Sequence, residues 1–401
     1  MNYKETLDYI HSLGMFSHPA GLERIKNVLS VLGNPQDDYK SIHIAGTNGK
    51  GSVSAMLSSV YKEYGLKVGT FISPFIIDFR ERIQIGGEYI SEKDLVCFSE
   101  RVKSTNIALT EFEFITAVAF LYFKERNIDL LICETGLGGR LDATNTLENL
   151  ACTVVTKIGL DHTAILGNTI EQIAEEKCGI LRECITVTTP YQPLDAFSVI
   201  KSKAKKLVIP DLQRVEVLKT DIFGNVFTYK GEKFETSLCG EYQIENALVA
   251  IETVKNSGYD IPYDILCTGL KNAIIPARLE VVSEKPLILL DGAHNPDGAS
   301  VLERELSKLK EKPIAIIGMM RDKNVDKVLE TTLKHCKSAI CVAVPNNPRS
   351  LSGDELCKIA DKYCLCETAE NLQSALEKTN GQHTVIFGSL YLAAEIRKIL
   401  I

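Results

Sequence analysis

The run IHIAGTNGKGS, at positions 42–52, joins an apolar strand pattern to a glycine-rich turn and then to a helix pattern. Glycines let backbone N–H groups approach an anion, and the start of a helix adds the positive end of its dipole. Lys50 supplies a point charge, but Gly51 separates it from Ser52, so the run departs from the strict phosphate-loop pattern. The order of strand, glycine loop and helix predicts a phosphate site in an α/β domain. Taken alone, the motif also fits a glycine-rich turn with an exposed lysine.

The length and composition of the chain fit two globular domains. Its 401 residues are 45% hydrophobic and 24% charged, and single cores seldom grow beyond about 250–300 residues. The net charge of −7 argues against a general nucleic-acid-binding protein. No stretch approaches the ~18 consecutive apolar residues of a membrane helix, and the first residues lack the apolar core of a signal peptide. We therefore expect a cytoplasmic protein that binds neither nucleic acid nor membrane.

The twelve cysteines are dispersed, and several lie in apolar runs. In a long chain without an export signal, this pattern indicates reduced thiols, most of them buried, rather than a disulfide framework. Cys364 and Cys366 form a close pair, but this pair alone is too sparse for a zinc site.

Strand and helix patterns alternate along both halves of the chain, which predicts an α/β fold with mostly parallel sheets. Helices are predicted at 52–64, 92–103, 111–126, 170–178 and 243–257, and strands at 67–73, 129–135, 151–159, 185–189, 286–295, 313–320, 339–345 and 383–390. Thr169 and Gln172 predict a capping box. Turn signals within 207–240 predict a small antiparallel β excursion. We expect a P-loop-type α/β domain over 1–280, which includes that excursion, and a Rossmann-like α/β domain over 281–401.

Three polar side chains close predicted strands or follow them directly: Ser73, Glu134 and His162. Ligands of α/β folds bind beyond the carboxyl ends of strands, so these residues are expected to meet at the same edge as Lys50. A hydroxyl, a carboxylate and an imidazole form an unusual set of ligands for Mg²⁺, which prefers oxygen. In isolation, Ser73 also fits a turn before Pro74, and His162 fits a capping or core histidine.

The run GTNGKGS (46–52) resembles the nucleotide loop of folylpolyglutamate and dihydrofolate synthases, which are Mur-ligase-like ATP-dependent amide ligases. Other segments resemble this family in the same order along the chain: SP (73–74), FEFITAVAF (112–120), ETGLGGRLDATN (134–145), IGLDHTAILG (158–167), EKCGIL (176–181), GEYQIENA (240–247), IPARLEVV (275–282) and LDGAHNPDGA (290–299). The resemblance extends from about Leu22 to Tyr391.

The resemblance implies a role for each matching residue. ATP would be bound by Asn48, Gly49, Lys50, Gly51, Ser52, Gln243, Asn246, Arg278, Asp291 and His294. Two Mg²⁺ ions would be held by Ser73, Glu134, His162 and a carbamylated Lys177, and the catalytic set would be Lys50, Lys177, His162 and Glu134. The acceptor would contact Phe112, Glu113, Phe114, Leu141, Asp142 and Ala143. From composition alone, Lys177 fits a solvated lysine, Phe112 and Phe114 fit core positions, and Arg278 with Asp291 fits an interdomain ion pair.

The activity implied by the resemblance is ATP-dependent addition of L-glutamate to a folate or pteroate acceptor. An acyl phosphate would form and release ADP, and the glutamate amine would then displace phosphate. A monomer is expected. A cell-wall Mur ligase, a small-molecule kinase and a nucleotide-binding protein without ligase activity are the alternatives. Dihydropteroate, a reduced folate, or both remain open as acceptors.

Three positions depart from the family pattern. Phe75 and Tyr242 stand where histidine is usual, and Ile275 stands where tryptophan is common. All three lie in the segments expected to contact the acceptor or nucleotide, so they bear on the choice of acceptor more than on the use of ATP.

Overall fold

The computed structural model describes residues 1–14, 21–75, 78–345 and 347–400. Contacts divide the chain into two compact units. The first unit comprises 1–217, 227–236 and 242–273, and the second comprises 218–226, 237–241 and 274–401. Each unit combines β-strands with α-helices, so the predicted α/β fold class is confirmed. The domain boundary at 280/281 stays a prediction, and the change of unit follows Ala273.

Eight strands of the first unit form one sheet: β1 (Lys40–Ala45), β2 (Val68–Phe71), β3 (Ile83–Ile85), β4 (Glu88–Tyr89), β5 (Leu130–Glu134), β6 (Leu150–Val155), β7 (Ile185–Thr188) and β8 (Lys206–Val208). Their order is β4-β3-β2-β5-β1-β6-β7-β8. The pairs from β2 to β8 are parallel, and β3 and β4 add an antiparallel edge. Strands β2 and β5 are buried along their whole length, as apolar strands of a covered parallel sheet are.

The helices of the first unit are α1 (Tyr3–Ser12), α2 (Glu23–Val31), α3 (Lys50–Glu63), α4 (Glu92–Lys103), α5 (Glu111–Glu125), α6 (Thr163–Leu166), α7 (Ile170–Lys177), α8 (Leu194–Lys203), α9 (Tyr242–Asn256) and α10 (Tyr263–Lys271). Short 3₁₀ turns occur at Pro35–Asp37, Phe79–Arg82, Ala143–Thr146, Cys178–Ile180 and Leu212–Arg214. The predicted helices are thus present within one or two residues of their expected bounds.

The start of α7 differs from the predicted capping box. The Thr169 hydroxyl accepts the Gln172 N–H at 3.2 Å, as expected. The Gln172 side chain, however, accepts the N–H of Asn168 at 2.8 Å instead of that of Thr169. Only one of the two hydrogen bonds of the capping box forms, because the Gln172 side chain accepts from the residue before the N-cap.

The predicted β excursion is a separate three-stranded sheet formed by β9 (Val215–Asp221), β10 (Gly224–Tyr229) and β11 (Glu232–Thr236). Their order is β11-β10-β9. The excursion is shorter than the expected range 207–240, because residues 206–208 pair in parallel with β7 as part of the large sheet.

The second unit contains a six-stranded sheet: β12 (Glu280–Glu284), β13 (Leu287–Leu290), β14 (Ile314–Ile317), β15 (Ser338–Cys341), β16 (Cys366–Thr368) and β17 (Thr384–Phe387). Its order is β12-β13-β17-β14-β15-β16, with β12 antiparallel and the others parallel. The sheet is accompanied by α11 (Pro296–Leu306), α12 (Val325–Leu333), α13 (Gly353–Ala360), α14 (Leu372–Lys378) and α15 (Leu390–Leu400).

The sequence predicted four of these six strands. The two that it missed, β12 and β16, form the two edges of the sheet, and their side chains are only partly buried or exposed. Short edge strands carry no continuous apolar run, so periodicity does not reveal them. None of the helices in the described ranges combines the length and apolar character needed to cross a bilayer.

Candidate active site

The glycine-rich loop leads directly into helix α3. Gly49 is the N-cap residue with φ +93°, a left-handed conformation that favours glycine. No side chain caps the helix, and its first turn carries no acidic residue. The first N–H groups of a helix lack intrahelical partners, so they and the positive end of the dipole suit an anion. The predicted phosphate loop therefore has the local geometry that phosphate binding requires.

Gly46 ends the strand-to-loop connection after β1 and leaves no space for a side chain. Its φ is +149°, and a Cβ built on it would lie 1.9 Å from the Thr156 hydroxyl oxygen. Two ammonium groups donate to its carbonyl oxygen, that of Lys50 at 3.1 Å and that of Lys177 at 2.8 Å. The Gly46 carbonyl thus brings together two lysines that are far apart in sequence.

Glu134 ends β5, which is paired directly with β1. Its carboxylate lies 3.7 Å from the ammonium of Lys50. Burial raises the pKa of Glu134 to about 7, although Lys50 and a hydrogen bond from the Ser73 N–H oppose that shift. The Ser73 hydroxyl oxygen is buried and has no hydrogen-bond partner among the described residues. An unpartnered oxygen beside a carboxylate fits the coordination that Mg²⁺ prefers.

Lys177 is the last residue of α7, and it is 3% exposed. Burial lowers its pKa to about 8, and the charge of Lys50 acts in the same direction. Asp161, Asp142 and Glu134 oppose this shift. The interpretation of Lys177 as a solvated lysine is therefore wrong, because the end of its helix is covered instead of facing water.

Among the described residues, His162 forms no hydrogen bond or ion pair with Ser73, Glu134 or Lys177. Its φ is +46°, and its side chain is 55% exposed. Its contact with a charged group is to Asp161, at 3.7 Å between Nε2 and Oδ1. Metal ligation by His162 stays a prediction.

Two predicted ATP-binding residues lie on α9 close to the loop. Gln243 and Asn246 are both buried, and the Asn246 amide donates to the Gln243 side chain at 2.9 Å. A Cβ on Gly49 would lie 2.5 Å from the Asn246 side-chain oxygen. The absence of a side chain at Gly49 therefore lets Asn246 reach the backbone that begins helix α3.

The glycine-rich segment after β5 packs on the end of α7. The Arg140 N–H donates to the Glu176 carbonyl at 2.8 Å, and a Cβ on Gly139 would lie 2.6 Å from the Lys177 carbonyl. Asp142 is buried and accepts the N–H groups of Leu137 and Thr144 at 2.8 and 3.0 Å. Asp142 therefore shapes the segment that covers Lys177.

Sequence patterns missed His43 and Asp161. His43 is fully buried in β1, and its Nε2 lies 2.8 Å from the Thr144 hydroxyl; burial lowers its pKa to about 3. Asp161 acts electrostatically on Lys177. His43 occupied an apolar run and Asp161 a loop, so neither stood out from its neighbours.

The residues expected to contact the acceptor occupy different environments. The Phe112 ring is partly buried and lies over Gly136, where a Cβ would be 2.4 Å from it. Phe114 is 2% exposed in the core, with its ring 5.5 Å from that of Tyr9. Glu113 bonds to the Thr110 N–H and pairs with Arg24 at 2.9 Å.

Leu141 is exposed, whereas Ala143 and Asp142 are buried. Phe112 and Leu141 are thus the members of this set with accessible side-chain surface. Acceptor binding by the whole set stays a prediction.

The DGAHN segment of the second unit is tied to the residues around Arg278. Asp291 is buried and accepts the N–H groups of Leu279 at 2.8 Å and Ala293 at 2.7 Å. Burial raises the pKa of Asp291 to about 6. Ala277 and Leu279 both have positive φ, at +54° and +48°, so the two residues that flank Arg278 have strained backbone conformations.

Arg278 and Asp291 do not form the predicted interdomain ion pair. Arg278 is exposed, and it belongs to the same compact unit as Asp291. Both carboxylate oxygens of Asp291 are engaged by backbone amides. His294 is partly buried, and its Nδ1 lies 2.8 Å from the Gly292 carbonyl oxygen. Nucleotide binding by Arg278, Asp291 and His294 stays a prediction.

Comparisons with known proteins cover most of the chain. Residues 44–254 match the family model of the Mur ligase middle domain, and residues 277–390 match that of the Mur ligase glutamate ligase domain. Folylpolyglutamate synthase of Lacticaseibacillus casei is 36% identical over 425 aligned positions, covering 100% of this chain and 99% of the relative. Dihydrofolate synthase/folylpolyglutamate synthase of Bacillus subtilis is 37% identical, covering 99% of both.

Solved structures are similar over the same length. Folylpolyglutamate synthase of Thermotoga maritima has a TM-score of 0.87 and 37% identity, with 99% of this chain and 96% of that chain covered. E. coli FolC in complex with DHPP and ADP has a TM-score of 0.80 and 27% identity, with 100% and 98% covered. The similarity therefore spans both units.

Asp291→Ala is expected to destabilise the second unit. The change removes the acceptor of two buried amides, and each unsatisfied buried group costs about 1–3 kcal/mol. Calorimetry of the full chain should show a lower free energy of unfolding for Asp291→Ala than for the wild-type chain. The decrease should be smaller for Asp291→Asn, which keeps one acceptor oxygen. The exposed Asp322→Ala is the matched control and should change little. An Asp291→Ala variant as stable as that control would contradict the assigned role.

Proposed function

The chain belongs to the folylpolyglutamate and dihydrofolate synthases of the Mur ligase family, and on this premise we propose that it joins L-glutamate to a folate-type acceptor. The chain is an ATP-dependent acid–amino-acid ligase. The observation that carries the proposal is that Lys50 and Lys177 both donate to the Gly46 carbonyl, at the start of a helix suited to an anion. The Glu134 carboxylate lies 3.7 Å from the ammonium of Lys50.

The proposed reaction has two steps. A carboxylate oxygen of the acceptor attacks the γ-phosphorus of ATP, so that an acyl phosphate forms and ADP leaves. The amine of L-glutamate then attacks the acyl carbon, loses a proton and displaces phosphate, which leaves an amide. Lys50 and the amides at the start of α3 lower the energy of the transferring phosphoryl group by neutralising its charge. No side chain of the described residues is required as an obligatory base.

The residues near Lys50 fit a magnesium ion. The buried Ser73 hydroxyl, which lacks a partner among the described residues, and the adjacent Glu134 carboxylate would hold it. When bound, such an ion supplies charge neutralisation on phosphate oxygens. A place for His162 in this set is supported by the family resemblance rather than by its contacts.

Carbamylation of Lys177 is proposed because its pKa is lowered and because the family resemblance implies it. The reaction of an amine with CO₂ requires the neutral form, and burial holds the pKa of Lys177 at about 8, far below its ordinary value of 10.5. The product would carry a negatively charged carbamate in place of the Lys177 ammonium, which now donates to the Gly46 carbonyl. The family resemblance assigns this modification a role in placing a second magnesium ion.

The acceptor is proposed to be dihydropteroate, a reduced folate, or both. Phe75, which replaces the usual histidine, is partly buried, and its ring lies 5.6 Å from that of Phe79 and 5.2 Å from the Arg82 guanidinium. The Phe75 side chain is thus part of an aromatic and cationic cluster instead of offering a hydrogen bond. This difference bears on which acceptor is preferred. The cytoplasmic location and the monomeric state remain predictions.

ADP release tests the proposed reaction. With MgATP and L-glutamate, the purified protein is expected to release ADP when dihydropteroate, tetrahydrofolate or both are added, because the first step requires the acceptor carboxylate. Release with one acceptor alone assigns that specificity. Release that does not depend on an acceptor, or no release from protein that binds ATP, would contradict the proposed acceptor class.

Variants of helix α3 provide the control for this assay. Lys50→Ala removes the charge at the loop and should lose most turnover. Lys62→Ala, an exposed lysine in the last turn of the same helix, should retain it. Equal activities in the two variants would remove Lys50 from the catalytic set.

Lys177→Ala is expected to lose turnover by a factor of about 10² or more, because a group that positions the charged reactants is removed. Its fold is expected to persist, as judged by circular dichroism, and a short carboxylate such as acetate should restore part of the rate. Lys201→Ala, an exposed lysine of the neighbouring helix α8, is the matched control. Full activity in Lys177→Ala would remove the carbamate from the mechanism.

A further inference from the structure

Three cysteine thiols of the second unit lie together although they come from separate segments, and a fourth lies beside one of them. Cys341 ends β15, Cys366 begins β16, Cys357 lies on α13, and Cys364 lies in the connection between α13 and β16. The sulfur atoms of Cys341, Cys357 and Cys366 all lie within 4.8 Å of one another. The sulfurs of Cys364 and Cys366 are 4.0 Å apart. We call these residues the four-cysteine cluster.

Strand pairing explains why two of these thiols face the same way. β15 and β16 are parallel neighbours in which Ala339 pairs with Cys366 and Cys341 pairs with Thr368. Paired residues point to the same face, and so do residues two apart along a strand. Cys341 and Cys366 therefore project from the same face, and the Cys357 thiol is hydrogen-bonded to that of Cys341.

We propose that the four-cysteine cluster is a structural zinc site with Cys341, Cys357, Cys364 and Cys366 as its ligands. Zinc bound by four thiolates is tetrahedral, with Zn–S distances of about 2.3 Å and sulfurs about 3.8 Å apart. The Cys364 thiol lies 4.0 Å from that of Cys366 but outside the group formed by Cys341, Cys357 and Cys366, so it would turn toward the other two thiols on binding. Within that group of three, a contraction of up to about 1 Å per pair is required. Small side-chain rotations supply movements of that size.

The ligand set favours zinc over hard cations. Thiolates are soft ligands that select zinc and copper(I), whereas magnesium and calcium require oxygen. Across the described residues, this is the one place where three or more histidine, cysteine or acidic side chains could hold a metal through closely placed atoms. The pair Cys364 and Cys366, too sparse for zinc by itself, gains the missing ligands from β15 and α13.

Simple packing of thiols is the competing explanation. Cysteine is a small apolar side chain, and Cys341 is fully buried in the core of the second unit. Packing alone does not require cysteine at the three partly exposed positions 357, 364 and 366. All four are free thiols, and burial is the largest cause of the raised pKa of Cys341, Cys364 and Cys366. Metal binding would break four S–H bonds, form four Zn–S bonds and release four protons to solvent.

A zinc ion here would fasten the edge of the sheet. β16 has only three residues and lies at the end of the strand order, next to β15 alone. Ligation would tie this short strand to α13 and to the end of β15. Because metal binds the folded site and not the unfolded chain, it adds stability to the native state. The proposal does not rest on the ligase activity, since none of the four cysteines belongs to the proposed catalytic, metal-binding or nucleotide-binding residues.

Metal content and spectroscopy test the proposal. The full chain, produced in medium containing Zn²⁺ and purified without chelator, is expected to carry about one zinc per chain by mass spectrometry of the elements. Replacement by Co²⁺ should give the visible absorption of tetrahedral cobalt and a thiolate-to-cobalt charge-transfer band. A strong chelator should lower the thermal midpoint of the wild-type chain.

Serine variants assign the ligands. Cys357→Ser and Cys366→Ser should lose the zinc and the charge-transfer band, while their thermal midpoints should no longer respond to chelator. Cys97→Ser and Cys267→Ser lie in the other unit and should retain both. ADP release by each variant reports whether the rest of the chain is folded and active.

Three results would overturn the zinc site. The first is a wild-type chain that carries no stoichiometric zinc and gives no charge-transfer band with Co²⁺. The second is an equal zinc content in the cluster variants and the controls. The third is a disulfide among the four cysteines in protein isolated under alkylating conditions. If one serine variant fails to fold, the cobalt spectrum of the wild-type chain still decides the question.

Discussion

The carbonyl oxygen of Gly46 accepts hydrogen bonds from two lysine ammonium groups, and the rest of the candidate active site depends on this arrangement. Lys50 comes from the phosphate loop and Lys177 from the end of α7, so one acceptor fixes both segments to the end of β1. Two like charges on one buried acceptor repel each other, which contributes to the low pKa of Lys177. Gly46 can hold this position only without a side chain, because a Cβ would lie 1.9 Å from the Thr156 hydroxyl oxygen.

Glu134 lies in this cationic environment but is itself hard to ionise, because burial raises its pKa to about 7. A carboxyl with a raised pKa and a lysine with a lowered pKa, both within reach of the phosphate loop, are typical of sites prepared for chemistry. The neighbouring unpartnered hydroxyl of Ser73 adds an oxygen that the described protein contacts do not satisfy. A bound cation and phosphate would satisfy these groups together.

Part of this site followed from the sequence, because parallel strands place their carboxyl ends at one edge. That rule predicted that Lys50, Glu134 and Ser73 lie at one edge, and the alternation of strand and helix patterns predicted both α/β units. It failed for features that depend on tertiary contacts. Burial of Lys177 results from coverage of the end of α7 by the segment that contains Gly139, which no helical pattern reveals. Cys341 became a neighbour of Cys366 only through the pairing of β15 with an edge strand too short to predict, and Cys357 only through the packing of α13 against these strands.

The lysine pair at Gly46 is proposed to make Lys177 reactive toward CO₂, and carbon-13 NMR of the full chain with ¹³C-labelled CO₂ tests this proposal most directly. A carbamate resonance is expected whose intensity, at fixed dissolved CO₂, rises with pH through about 8 as the neutral amine becomes populated. The amino terminus can form a carbamate too, so the assignment rests on loss of the Lys177 resonance in Lys177→Arg and its retention in Lys201→Ala. A spectrum unchanged by Lys177→Arg would contradict the claim.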